Sequence, residues 1–152
     1  GIGQVEVDMG EPSVFPQISI PLMELTYSVM PVSMGNPHCI LFCPHPEEIA
    51  LDVLGPALEH HPVFPDRTNV EFVAVEGDQL RLRVWERGSG ETLACGTGAC
   101  AAVVAAVANG FCSKGSDVTV RVKGGDLVVH YTDETVTLTG DAKLVYTGEA
   151  EY

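Results

Sequence analysis

The chain has 152 residues, 45% of them hydrophobic, with 8 basic against 21 acidic residues and a formal net charge of -13. That length and apolar content fit one domain or a pair of small lobes around a proper core, while the charge argues against nucleic acid or an anionic membrane as a partner. A small anionic substrate stays open, because it answers to the local field of a pocket.

The first third reads as short strands at Val5–Met9, Ile18–Leu22, Leu25–Met30 and Cys39–Phe42, punctuated by prolines at 12, 16, 21, 31, 37 and 44. Pro46-Glu47-Glu48 sets a proline and acidic residues at a helix start. Ile49, Leu51, Val53, Leu54 and Leu58 continue it as a helical stretch, with a break expected near Gly55-Pro56. Asn69–Val75 and Gln79–Trp85 form two strands joined at Glu76-Gly77-Asp78; in the second, Leu80, Leu82 and Val84 alternate with Arg81 and Arg83, so one face is solvated. A glycine-rich turn leads into a helix from about Gly98 to Ala108, stopped by Asn109-Gly110. A meander completes the chain at Val118–Lys123, Leu127–Tyr131, Thr135–Thr139 and a last strand through Leu144–Tyr146. No internal repeat or low-complexity segment is present.

The helix decides the architecture. From Ala99 to Ala108 it has no polar face, and a helix apolar all round must be enclosed. The expected layout is α+β: a curved, mostly antiparallel sheet wrapped around one central apolar helix, with Cys95 at that helix's open end.

Five cysteines, with Cys39, Cys43 and Cys100 inside apolar runs, do not form the pattern of a secreted disulfide framework. Reduced thiols in a cytoplasmic protein are the expectation. The apolar run from Ala99 to Ala108 is too short to span a bilayer, and no signal peptide is visible. The chain opens Gly1-Ile2-Gly3 without Met and reads as a fragment or a processed piece.

The segment from Glu86 to Cys100 carries the chemistry. Backbone N–H groups at a helix start lack intrahelical partners, attract anions and favour a thiolate over a thiol. The same turn can therefore hold a carboxylate and activate Cys95. A buried cysteine at a strand-to-helix junction is the commoner fate of such a residue, but Gly96, Thr97 and Gly98 leave room for a ligand and a capping hydroxyl. Cys100, one turn on, reads as packing. His38, Cys39, Cys43 and His45 match no familiar zinc spacing, and no metal site is read from them. Arg87 suits a two-pronged grip on a carboxylate, and Asn36 and Asn69 could add neutral hydrogen bonds to such a ligand. His60-His61, beside Pro62 and Pro65, read as loop surface.

Taken together, Ser33-Met34-Gly35-Asn36-Pro37-His38, the run from Phe64 to Phe72, the run from Trp85 to Cys100, and the tail from Leu138-Thr139-Gly140 to Tyr146-Thr147-Gly148-Glu149 resemble diaminopimelate epimerase. The resemblance covers nearly all of this chain but only the C-terminal half of the family's usual length. It implies interconversion of LL- and meso-diaminopimelate without a cofactor, in the cytoplasm or, in a plant, the plastid. Two similar lobes flank a cleft in that family, each supplying one cysteine at a helix start; one thiolate removes the α-proton and the other thiol protonates the opposite face. By position Cys95 is one of the pair. The resemblance places Gly96 and Thr97 on the carboxylate at the reacting centre and Asn36, Asn69 and Arg87 on the distal end. It sets Glu86 near the amino groups, with His38 and Glu86 tuning the thiol. The N-terminal lobe is not found in residues 1–152, so the chain is expected to be one lobe, inactive alone, whose uncovered face meets that missing lobe or associates with another copy. A related cofactor-independent racemase or isomerase lobe and a non-catalytic binding lobe with a vestigial cysteine are the alternatives.

Overall fold

The computed structural model describes residues 4–92, 95–142 and 144–145. In chain order these form β1 (Gln4–Asp8), β2 (Ser13–Val14), β3 (Ile18–Leu22), β4 (Leu25–Ser33) and β5 (Pro37–Phe42). A 3-10 turn (Pro46–Glu48), α1 (Leu51–Glu59), β6 (Asn69–Glu76), β7 (Gln79–Glu86) and β8 (Gly90–Thr92) follow. The chain then continues with α2 (Gly96–Ala108), β9 (Asp117–Val122), β10 (Gly125–Tyr131) and β11 (Val136–Asp141).

The strands make one sheet in the order β1-β11-β10-β9-β7-β6-β5-β4-β2, with β3 also on β4 and β8 also on β7. Two pairs are parallel, β5 with β6 and β7 with β9. Parallel neighbours need a crossover, and each has its helix: α1 lies between β5 and β6, and α2 between β7 and β9. β1 and β2 stand at opposite ends of the strand order, yet only residues 9–12 join them. Four residues reach roughly 3.5 Å each, so the sheet must curl until its two edges come close. It curls around α2, which packs on β4, β5, β6, β7, β10 and β11. Along α2, Gly96 and every residue from Gly98 to Ala106 are buried.

Alternation along the strands divides the interior in two. Inward residues such as Val32, Ile40, Val73, Leu82, Val129 and Leu138 join α2 in the main core. Ile20, Val29, Cys39, Leu41, Val70 and Phe72 face the other way, onto Leu51, Leu54 and Leu58 of α1. Filling both faces with apolar side chains is what a sheet covered on two sides requires.

Four expectations need correction. α1 runs unbroken through Gly55-Pro56. The bond Pro56 cannot donate leaves free the carbonyl of Asp52, an exposed residue. Gly55 lies flat on an indole, where a Cβ would come within 2.4 Å of Trp85 Cδ2. β4 continues past Pro31 because β3 pairs with it up to Val29 and β2 only from Val32. Pro31 falls between them, its carbonyl accepting from Phe15 N–H and its missing N–H facing the same gap. α2 begins at Gly96 rather than Gly98. The last strand expected at Leu144–Tyr146 is absent from its described part: Leu144 and Val145 are helical, and Tyr146 lies outside the described residues.

Candidate active site

β5, β6 and β7 run side by side, and their inward positions are apolar except at the end nearest the start of α2. There stand His38, Asn69, Glu71 and Glu86, none more than 1% exposed. Strand registry explains the grouping. His38 lies beside Asn69, Glu71 is directly across from Val84, and Glu86 is two residues beyond Val84 on the same face.

Cys95 is the N-cap of α2, with extended backbone (φ -137°, ψ 109°), and its carbonyl accepts the N–H of Ala99. Its Sγ lies 3.6 Å from Thr97 Oγ1. The same hydroxyl is 3.1 Å from His38 Nε2 and 3.1 Å from Asn36 Nδ2. His38 Nδ1 stands 3.1 and 3.0 Å from the two oxygens of Glu71. A connected line thus runs Cys95, Thr97, His38, Glu71, with Asn36 bonded at its middle. Gly98 permits it: a Cβ there would lie 2.6 Å from Glu71 Oε2 and 3.2 Å from Cys95 Sγ. The carboxylate and the sulfur occupy the space that a side chain on the first turn would take, at the end of the helix dipole that favours negative charge.

Beside this line opens a cavity of about 590 Å³, lined by Asn36, Pro37, Phe64, Asp66, Arg67, Arg87 and Phe15 among others. Asn36 borders both the cavity and the thiol network. Arg87 is fixed by its surroundings: its N–H donates to Asn69 Oδ1 at 2.8 Å, and its Nη1 donates to the Asp66 carbonyl at 3.2 Å. Asn69 also donates through Nδ2 to the Pro37 carbonyl. It therefore ties the Asn36-Pro37 turn to the Arg87 turn from inside rather than lining the cavity. Glu59 of α1 holds the outer side, accepting from Trp85 Nε1 and Gly88 N–H at 2.9 Å each and from Arg67 Nη1 at 3.1 Å.

The structure therefore assembles Cys95, Gly96, Thr97, His38 and Asn36 at the helix start, with Glu86 on the same inward face. Arg87 stands on the cavity wall with Asn69 behind it. Leu93 and Ala94, in the same motif, lie outside the described residues. Cys95 is not at an open end, as expected, but fully buried. The helix start is roofed over, since a Cβ at Gly96 would fall 2.9 Å from Leu138 Cδ2 and 3.8 Å from the Val145 carbonyl. Glu71 and Glu59 were missed. Glu71 could have been found by alternation, because it is two residues from Asn69 and so shares its inward face; Glu59 had no such signal, as its role depends on α1 crossing Trp85.

The other thiols lie apart from this network. Burial first, and then the charge of Glu71, push the Cys39 thiol far up. Burial also pushes Cys43 up to about 11 and raises Cys112. Cys100 is buried within α2. Of the residues considered as metal ligands, His38 faces α2, Cys39 faces α1 and His45 is exposed. His38, Glu71 and Cys95 bring one donor atom each within 4.8 Å of one another, and hydrogen bonds join them as described.

A family model described as diaminopimelate epimerase matches residues 30–152. Among curated relatives, the diaminopimelate epimerase of Thermosynechococcus vestitus is 47% identical over 96% of this chain and 58% of its own length. That of Synechocystis sp. is 45% identical over 98% of this chain and 59% of its own. The chain thus spans little more than half the length of these relatives. Among solved structures, a probable proline racemase from Agrobacterium radiobacter K84 superposes with a TM-score of 0.73 at 17% identity, covering 91% of this chain and 51% of the other. A hydroxyproline epimerase from Agrobacterium vitis superposes at 0.68 and 16%, covering 91% and 50%. These two share the fold.

Proposed function

The chain belongs to the diaminopimelate epimerase family, and on that premise we propose that it forms one half of a cofactor-independent epimerase centre for LL- and meso-diaminopimelate. The observation that carries this reading is the placement of Cys95 at the start of α2, joined through Thr97 to His38, beside a cavity bearing Asn36 and Arg87.

The chemistry follows from the parts. The helix start offers N–H donors to the substrate carboxylate at Gly96 and Thr97, where negative charge grows as the α-proton leaves. Arg87, immobilised by Asn69 and Asp66, grips the distal carboxylate with Asn36 beside it. Glu86, on the inward face next to this grip, serves the amino groups and, with His38, the protonation state of the thiol. Cys95 exchanges a proton with one face of the α-carbon. Inversion needs a second acid or base on the opposite face. Among the described residues Cys39, Cys43, Cys100 and Cys112 stand in strands, in a helix interior or away from such a turn, so that second group belongs to another lobe. The isolated 152-residue chain is accordingly a binding half without turnover. Its rim carries Phe15 and Val63, 49% and 45% exposed, which fits a face that is covered by that lobe or, at high concentration, by another copy of the chain.

The test is incubation of this chain with meso-diaminopimelate in deuterated water, with substrate and protein observed by NMR. Perturbation of Asn36, Thr97 and Arg87 resonances without deuteration of the α-carbon is expected. Enzyme-like deuteration by the chain alone would refute the divided centre, and perturbation by proline but not by diaminopimelate would refute the substrate.

A further inference from the structure

The proposed function gives Glu71 no task, although it is a carboxyl group with no exposed surface, set into the inward face of the central sheet. Burying such a group is costly unless hydrogen bonds and charge compensate it. Both of its oxygens lie within 3.1 Å of His38 Nδ1, and one of them fills the space left by the missing side chain of Gly98. The carboxylate is thus held from two sides, by a ring nitrogen and by the first turn of α2.

We infer that Glu71 is a positioning residue that keeps a proton on His38 Nδ1, so that His38 Nε2 faces Thr97 as a proton acceptor for Cys95. The donor and acceptor roles agree along Glu71, His38 Nδ1 and Thr97, while the 3.3 Å contact of Nε2 with Asn36 Oδ1 sets two acceptors together until the ring takes up a second proton. An ionised carboxylate only accepts, so Nδ1 must donate to it; in the neutral ring Nε2 then only accepts. Thr97 donates its hydroxyl hydrogen to Nε2, and its oxygen has two lone pairs for the Asn36 amide and the Cys95 thiol. In the proton step, the Cys95 S–H bond breaks and its proton goes to Thr97 Oγ1, while the Thr97 hydroxyl proton goes to His38 Nε2. The products are a thiolate and an imidazolium, the latter facing Glu71. The proton returns by the reverse path when the thiol is restored. Asn36 Oδ1, 3.3 Å from Nε2, is placed to accept from the doubly protonated ring. A buried carboxylate behind an imidazole stabilises the charged ring and fixes its tautomer, as in nucleophile–base–orienter arrangements on unrelated folds.

This inference rests on the reading of Cys95 as the working thiol, and the experiment separates the two. Imidazole nitrogen NMR of the 15N-histidine-labelled chain, with His38 assigned from His38→Asn, reads the tautomer. Limited iodoacetamide labelling with mass spectrometry reads the rate at each thiol. Wild type is expected to hold His38 as a single Nδ1–H form. In Glu71→Gln the amide can face the ring with donor or acceptor, so a mixture of both tautomers is expected. Cys95 labelling should then fall by about tenfold or more, the loss of one proton-accepting partner. Glu71→Asp, which remains acceptor-only, should restore the single form and most of the rate. A wild-type ring protonated at Nε2, or a Glu71→Gln chain that keeps one tautomer or its Cys95 rate, overturns the inference. The wild-type spectrum decides even if Glu71→Gln does not fold. Should meso-diaminopimelate leave the Asn36, Thr97 and Arg87 resonances of wild type unmoved, the functional reading fails by itself, and the imidazole spectrum alone judges Glu71.

Discussion

Replacing Gly98 with Ala isolates the packing that holds the thiol network together. In an ordinary helix this change stabilises by about 1 kcal/mol, because Ala is the better helix former. Here the new Cβ would stand 2.6 Å from Glu71 Oε2 and 3.2 Å from both Cβ and Sγ of Cys95. The first contact is short by somewhat less than ~1 Å of ordinary van der Waals separation. The carboxylate cannot give that distance and keep its bonds to His38 at 3.0–3.1 Å. Breaking a buried pair from one side costs about 3–5 kcal/mol, so after the helix gain the net loss should be about 2–4 kcal/mol. Urea denaturation followed by the fluorescence of Trp85, the chain's single tryptophan, should show a midpoint lower by about 1–2 M, with the slope unchanged. Adding Glu71→Ala to Gly98→Ala should cost less than the sum of the two alone, by about 2 kcal/mol, since each removes the other's conflict. A Gly98→Ala chain as stable as wild type, or additive behaviour in the double variant, would show that Glu71 does not depend on this space.

Two further outcomes concern charge and thiols. The Arg83 guanidinium, bonded to Glu91 at 2.8 and 3.1 Å, holds that carboxyl below its ordinary range. A depressed folded-state value means that the stability is present above the unfolded carboxylate range and is lost as pH falls through the folded one. The stability advantage of wild type over Glu91→Gln, roughly 1 kcal/mol near neutrality, should therefore shrink between about pH 5 and pH 3; an advantage that grows on acidification would contradict the pairing. Cys43 is half-buried, with a thiol raised to about 11 by burial, so its alkylation rate should keep climbing past pH 9. A plateau below pH 9 would contradict a thiol raised by burial.

Periodicity made the central helix and the sheet around it legible, because a run from Ala99 to Ala108 with no polar face leaves no other solution than enclosure. The motif residues His38, Asn69 and Glu86 were legible as individuals, but their meeting on one face rests on the pairing of β5, β6 and β7, which alternation within a single strand does not reveal. Closure was not readable: β2 is two residues long, β8 three, and each exists only because a neighbour pairs with it. Nor was the burial of Cys95, which depends on Leu138 crossing the helix start from a strand over 40 residues away. The final segment misled because Leu144 and Val145 are apolar and Val145 is β-branched, as in a strand, while Val145 closes on Gly96 and Gly140 and Leu144 on Gly125.

The curled sheet also has a kinetic side. The β6–β7 and β9–β10 hairpins close across short turns, on the scale of ~1–10 μs. β1 must instead find β11 across almost the entire chain, Gln4 opposite Asp141, and such distant pairings come late. β1 alternates between exposed and half-buried residues, which marks it as a low-protection unit that frays before the centre does. Its partner β11 is the strand whose Leu138 covers the helix start. Breathing of this seam is therefore the expected way in to a thiol that has no exposed surface at rest, and amide exchange at Val7 and Leu138 slower than at Phe72 would rule it out. On this view, access to Cys95 is timed by the last contact the chain makes when it folds.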